Sequence, residues 1–291
     1  MSETVVDAKM LQKAFGSTEV LTGVDFSLRR GQVTGLLGLN GAGKSTLIRC
    51  LLGLLKCTGG TARIFGCDSW NLGESEKSRL GYVPQDVFLY PTLTVRGMVD
   101  YTAAFYSSWN SAQVTDLLQR WELPGDKACR VLSPGERQKL GIILAVGHQP
   151  ELLVLDEPVA SLDPAARRAF LESLRELAGA GERTILFSTH ITSDVERVAT
   201  HVALLRLGRI QFHEELDDLK KRMKRLRLTA GTTLPSQVDL PGVLQWQVSG
   251  TTGVLTVNNF APELPDQLRA VWGADVVIED MNLEEIFLAC H

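Results

Sequence analysis

Long apolar runs are absent. Nowhere in the 291 residues does a stretch approach the ~18 to 20 apolar side chains that carry a helix across a bilayer, so a chain that spans a membrane by helices is excluded. Nor does Met1-Ser2-Glu3-Thr4 offer a basic segment leading into an apolar one, and the expected location is cytoplasmic unless a partner holds the chain at a membrane. Positive charge is not in excess either. A formal net charge of −4 gives no general footprint for nucleic acid, although such an average leaves room for a local patch. Cysteine is scarce: the residues at 50, 57, 67, 129 and 290 show no C-x-x-C spacing, which points to reduced thiols rather than a zinc site or a disulfide framework. Internal repeats and low-complexity segments are lacking as well.

What is present is a hydrophobic fraction of 44% and a length that suits one large domain with a smaller appendage. One stretch organises the rest. Gly38-Leu39-Asn40-Gly41-Ala42-Gly43-Lys44-Ser45-Thr46 fits G-x-x-x-x-G-K-[ST], preceded by a short buried strand ending at Leu37 and followed by a helix from Thr46 to Leu52. Glycines let such a loop curl until successive N–H groups point inward, and the new helix adds the positive end of its dipole. Gly38, Asn40, Gly41, Gly43, Lys44, Ser45 and Thr46 are therefore candidates for holding a triphosphate, with Lys44 on the β- and γ-phosphates and the Ser45 hydroxyl on magnesium.

Alternating segments at Val20-Leu21 and Val24 to Leu28 predict a small antiparallel sheet before this loop. From about 88 to 147 the spacing becomes helical, through Val95, Met98, Val99, Thr102, Phe105, Tyr106 and Trp109 and again through Val114, Leu117, Leu118 and Trp121, which predicts a separate helical subdomain. The apolar runs Leu152 to Leu155 and Thr184 to Phe187 then read as buried parallel strands, separated by a helix over 164–178. A charged stretch over 213–227 reads as a solvated linker helix. Residues 228–291 read as a small α/β unit: a hairpin turning at Gly250 to Gly253, a helix marked by Leu264, Leu268 and Val271, and a last helix with Asn282 as N-cap and Glu285 three residues on.

Asp156-Glu157 closes the first of the two late strands, at the end where open parallel sheets place ligands. Asp156 is the candidate magnesium holder and Glu157 the candidate base for the water that attacks the γ-phosphate. His190 follows the second strand and Gln85 follows Tyr82-Val83-Pro84, both within reach of the same place.

Taken in this order, the residues resemble the nucleotide-binding subunit of an ABC transporter, over roughly residues 4 to 212. Phe15 matches the aromatic that stacks on adenine, residues 38 to 46 the phosphate loop and Gln85 the Q-loop. Leu132-Ser133-Pro134-Gly135-Glu136 matches the signature, Leu153 to Glu157 the second nucleotide motif, Ser161-Leu162-Asp163 the D-loop and His190 the switch histidine. The resemblance implies a P-loop NTPase of α/β class, with a RecA-like core, an N-terminal antiparallel β subdomain, a helical subdomain and a small C-terminal α/β extension. It implies ATP and Mg2+ as cofactors, with Ser45, Gln85 and Asp156 at the metal and Glu157, His190 and Gln85 in catalysis. Ser133, Gly135 and Asp163 would serve the nucleotide across a dimer of two ATPase subunits, a homodimer being expected. An integral membrane permease is implied as partner, docked near Asp86 to Arg96, which would place the chain on the inner face of the cell membrane.

The usual signature is Leu-Ser-Gly-Gly-Gln, so Pro134 and Glu136 are departures. Pro134 removes one N–H, yet it stands at a first helical position where that group is unpaired anyway, and Ser133 with Glu136 forms a capping box. Glu136 also brings a negative charge near a polyanion, so a slower ATPase is expected. The tail Asn282 to Leu288 and the unit after 212 resemble bacterial exporter ATPases for drugs, antibiotics, lipids or polysaccharides, and Tyr106 to Asn110 resembles those of peptide-antibiotic exporters. The alternative is an ABC-type ATPase acting on nucleic acid or ribosomes. No coiled-coil insertion, zinc motif or second cassette supports it, and no nucleic-acid partner is expected.

Overall fold

The computed structural model describes residues 3–159, 162–179 and 183–290. They divide into two compact units, one ending at His213 and one starting at Glu214.

The first unit opens with a long hairpin of β1 (Thr4–Phe15) and β2 (Thr18–Arg29), in which Leu11, Leu21, Val24 and Leu28 are buried. β3 (Val33–Leu37) follows, then α1 (Lys44–Leu51), β4 (Gly59–Ile64) and β5 (Cys67–Asp68). The outer strands form a sheet in the order β2-β1-β4-β5, antiparallel at every pair. With eight residues α1 is too short to persist alone, and its packing holds it. Leu47, Ile48 and Leu51 lie in one core with Leu11, Leu28, Leu36 and Leu186, each such burial contributing about 1.5 to 3 kcal/mol.

Next come α2 (Glu74–Lys77), β6 (Leu80–Val83), α3 (Val95–Ala103), α4 (Ser111–Arg120) and α5 (Pro134–Val146). The helical spacing of the sequence runs past the end of α3. Asn110 caps α4 by accepting the Gln113 N–H at 3.0 Å and donates its own N–H to Gly147 at 2.7 Å, so the chain must leave the helix before it. Phe105 is consequently exposed, while Tyr106 stacks on His148 with ring centroids 4.0 Å apart.

His148 is buried, and its Nε2 donates to the Leu80 carbonyl at 3.1 Å, leaving Nδ1 without a proton or a partner among the described residues. Burial lowers its pKa from the ordinary 6.5. The unfolded chain therefore binds this proton more readily than the folded one. Stability from this site is full above about pH 6.5 and falls as the pH drops below it, by at most about 1.4 kcal/mol per pH unit. Urea unfolding at pH 7.5 and 5.5 should show a smaller acid loss in His148→Gln than in the parent chain; equal losses would remove His148 from the account.

Then follow β7 (Leu152–Leu155), α6 (Pro164–Ala178), β8 (Thr184–Thr189), α7 (Thr192–Val198), β9 (His201–Arg206) and β10 (Arg209–Glu215), within which the unit ends at His213. Its second sheet has the order β10-β9-β3-β8-β7-β6. β3, β7 and β8 are buried along their whole length, as expected of parallel strands covered on both faces.

The second unit begins with α8 (Leu216–Arg222), followed by β11 (Lys224–Ala230), β12 (Val243–Ser249), β13 (Thr252–Val257), α9 (Leu264–Trp272), β14 (Ala274–Asp280) and α10 (Leu283–Ala289). The strand order is β12-β13-β11-β14. A linker helix over 213–227 is corrected: helix covers only 216–222, and 224–230 is an inner strand. Leu226, Leu228 and Ala230 point into the core, while Arg225 pairs with Glu285 at 2.7 Å and Arg227 with Glu279 at 3.0 Å. Period-two burial with carboxylates opposite the arginines outweighs the helical look of the charges. Leu264, Leu268 and Val271 all lie in α9, but Val271 is 74% exposed; the helix buries Leu268 and packs Leu264 and Trp272, one face at four-residue spacing. Asn282 accepts the Glu285 N–H at 2.9 Å and Glu285 returns a bond to the Asn282 N–H at 3.0 Å, the capping box expected for α10.

Candidate nucleotide-binding site

The register of the parallel sheet sets Leu37 beside Thr189, Phe187 beside Leu155 and Leu155 beside Val83. The residues that follow these strands thus share one end of the sheet. There Val20, Asn40, Gly41, Gly43, Lys44, Ser45, Thr46, Gln85, Glu157 and His190 line a cleft of about 580 Å3.

The loop can take its shape only with glycine at three positions. A Cβ on Gly38 would stand 2.7 Å from the Leu205 carbonyl oxygen, and Gly41 and Gly43 adopt φ of 80° and 101°. No side chain caps α1 at Gly43, which leaves first-turn N–H groups to an incoming anion. Lys44 is 6% exposed and donates to the carbonyls of Gly38 at 2.8 Å and Leu39 at 3.3 Å. Its third partner is Glu157 Oε1 at 3.0 Å.

Glu157 is almost as buried, and its other oxygen lies 3.0 Å from His190 Nδ1. Its backbone takes φ of 49°, a left-handed value that costs a non-glycine residue about 1 to 3 kcal/mol and that clusters at working sites. The Glu157 N–H donates to Ser188 Oγ at 2.9 Å, and Ser188 Oγ in turn donates to Asp156 Oδ1 at 2.7 Å. Ser45 Oγ donates to the same oxygen at 3.1 Å. Asp156 Oδ2, fully buried, has no hydrogen-bond partner among the described residues. An orphaned carboxylate oxygen beside a serine hydroxyl is a hard-oxygen donor set, and it fits magnesium.

Phe15, Ser133 and Asp163 are not among the residues that line this cleft. Phe15 ends β1, is 49% exposed and carries the Lys13 ammonium 4.9 Å from its ring centroid. Ser133 caps α5 by accepting the Glu136 N–H at 3.2 Å, and Pro134 is the first residue of the helix. Glu136 returns a bond to the Ser133 N–H at 2.8 Å and is gripped by Lys127 Nζ at 2.7 and 2.8 Å. Lys127 first, and then that N–H, hold the Glu136 carboxyl below its ordinary range. The charge expected to slow the enzyme is therefore balanced by a lysine nine residues upstream. Asp163 caps α6, accepting the Ala165 and Ala166 N–H groups at 3.0 Å each, while Ser161 lies outside the described residues. As site residues, Ser188 and Val20 escaped the sequence reading: Ser188 meets Asp156 and the Glu157 N–H only through the register of β7 and β8, and Val20, expected only as a strand residue, lines the cleft from β2.

The family model described as "ABC transporter" matches residues 21–160. The ABC transporter ATP-binding protein YhaQ of Bacillus subtilis is 31% identical over 94% of this chain and 92% of its own length. The bacitracin transport ATP-binding protein BcrA of Bacillus licheniformis is 33% identical over 76% of this chain and 73% of its own. Among solved structures, an ATP-binding subunit of an ABC transporter superposes with a TM-score of 0.68 at 32% identity, covering 75% of this chain and 92% of that one. The phosphate loop, the acidic strand end and these likenesses, one of them over 94% of the chain, agree: the chain belongs to the ABC transporter family, as a subunit that binds and hydrolyses ATP.

Proposed function

We propose that this chain is half of a head-to-tail ATPase dimer, held at the inner face of the cell membrane, that drives export of a drug, antibiotic, lipid or similar substrate through a separate integral membrane permease. One observation carries the chemical part: the Glu157 carboxylate is held between Lys44 and His190, at 3.0 Å from each. An arriving triphosphate competes for Lys44, and in taking the ammonium it frees Glu157 Oε1 to accept a proton from the attacking water. His190 holds the other carboxylate oxygen and orients it. Magnesium, held by Ser45, Gln85 and Asp156, would neutralise charge on the phosphates. Phe15 stacks on adenine, and Ser133, Gly135 and Asp163 act on the nucleotide of the second subunit, in keeping with their absence from the lining of their own chain's cleft. The relative named for bacitracin transport supports the exporter reading.

The permease is expected on an aromatic surface beside Gln85. Phe88 is 90% exposed and Tyr90 52%, and Tyr101 bridges the rings of Tyr90 and Phe105 at 5.0 and 5.1 Å. Contiguous exposed aromatics of this kind mark interaction sites. A pull-down with Glu157→Gln, ATP and magnesium from detergent-solubilised host membranes should recover a polytopic membrane protein; recovery of nucleic acid or ribosomes instead would overturn the transport reading. Phe88→Ser should lose that partner while keeping basal ATP hydrolysis within about two-fold, because a solvent-exposed ring carries little of the fold's stability.

A further inference from the structure

We propose that Arg167 and Asp194 are positioning residues for ATP hydrolysis: their ion pair ties the first turn of α6 to the turn that carries His190, and so sets where His190 stands against Glu157. The inference rests on the roles given above to His190 and Glu157. Asp194 is 1% exposed, in the first turn of α7, and its Oδ1 accepts from Arg167 Nε at 2.8 Å and Nη2 at 2.6 Å. Its other oxygen accepts the Thr189 hydroxyl at 3.5 Å, and the oxygen of that hydroxyl accepts the Ile191 N–H at 3.0 Å. The residues on both sides of His190 are thus bound to a network that ends on one buried carboxylate. Burial pushes the Asp194 carboxyl up, and Arg167 opposes that shift.

Arg167 also stands one turn past Asp163, the cap of α6, to whose carbonyl its own N–H donates at 2.8 Å. A shift of the D-loop segment at the start of α6 is therefore transmitted through a rigid, two-pronged guanidinium to the histidine that touches the catalytic carboxylate. Nothing in the phosphate loop takes part in this link, which separates its effect on turnover from any effect on binding.

Arg167→Ala is expected to lower kcat by about 10- to 100-fold, the scale of an ångström-sized misplacement, with KM for ATP within about two-fold. Arg167→Lys should recover part of kcat, since it restores the charge without the fork. Thr189→Val, isosteric and confined to the weaker arm, should lower kcat by several-fold, and it carries the test if Arg167→Ala does not fold. Unchanged kcat in Arg167→Ala and Thr189→Val, or a loss in Arg167→Ala matched by a rise in KM and a lower Tm, would overturn the inference. His190→Ala in the same assay separates the two levels. Full turnover there removes the role of His190 itself, whereas loss there with full turnover in the other variants removes only the role of the pair.

Discussion

Glu157→Gln is expected to cut steady-state ATP turnover by about 10²- to 10³-fold while leaving ATP binding intact, because an amide cannot accept the proton that a positioned carboxylate takes. The side chain is nearly isosteric and sits in a site that is already tight, 7% exposed, so the loss should fall on the chemical step and not on folding. Binding of nucleotide should hold or tighten, since a neutral amide releases Lys44 more readily than the carboxylate 3.0 Å from it. Phosphate release in a single turnover, measured beside equilibrium binding of ATP, decides the matter. Turnover within three-fold of the parent chain would remove Glu157 as the base.

The second large effect concerns the chain before nucleotide arrives. Lys44→Met keeps most of the aliphatic stem but strips the ammonium from Glu157 and from the carbonyls of Gly38 and Leu39. Breaking one side of a buried ion pair leaves the other charge uncompensated, and the expected loss of unfolding free energy is about 3 to 5 kcal/mol. In a Glu157→Gln background the same change should cost only about 1 to 2 kcal/mol, from the carbonyls alone. A double-mutant cycle by urea unfolding isolates the difference, and strictly additive losses would show that the pair contributes nothing to the nucleotide-free chain. ATP affinity should fall by about 10- to 100-fold in both backgrounds, the range for one charge-assisted hydrogen bond.

Much of the site was legible because its parts are local. The phosphate loop needs glycines and a lysine at fixed spacing within nine residues, and the structure supplies the reason at Gly38, Gly41 and Gly43. Both capping boxes, at Ser133 with Glu136 and at Asn282 with Glu285, follow from three-residue spacing alone. Other features hid behind distance. Arg225 and Arg227 look like a solvated helix until Glu285 and Glu279 arrive beside them, 60 and 52 residues later. Lys127 was unremarkable in the sequence, yet it balances the one charge in the signature that departs from the usual pattern.

By itself the sequence determined the phosphate-loop pattern, the family and the capping boxes at Ser133 and Asn282, because these depend on neighbours within a few positions. Tertiary structure alone decided that Lys44 and Glu157, 113 positions apart, share a buried ion pair, that Ser188 bridges Asp156 and Glu157, and that Arg167 reaches Asp194 behind His190. The physical reason is the parallel sheet. Its register carries the ends of strands far apart in the chain to one edge, and only there do side chains with no pattern of their own come within hydrogen-bonding distance.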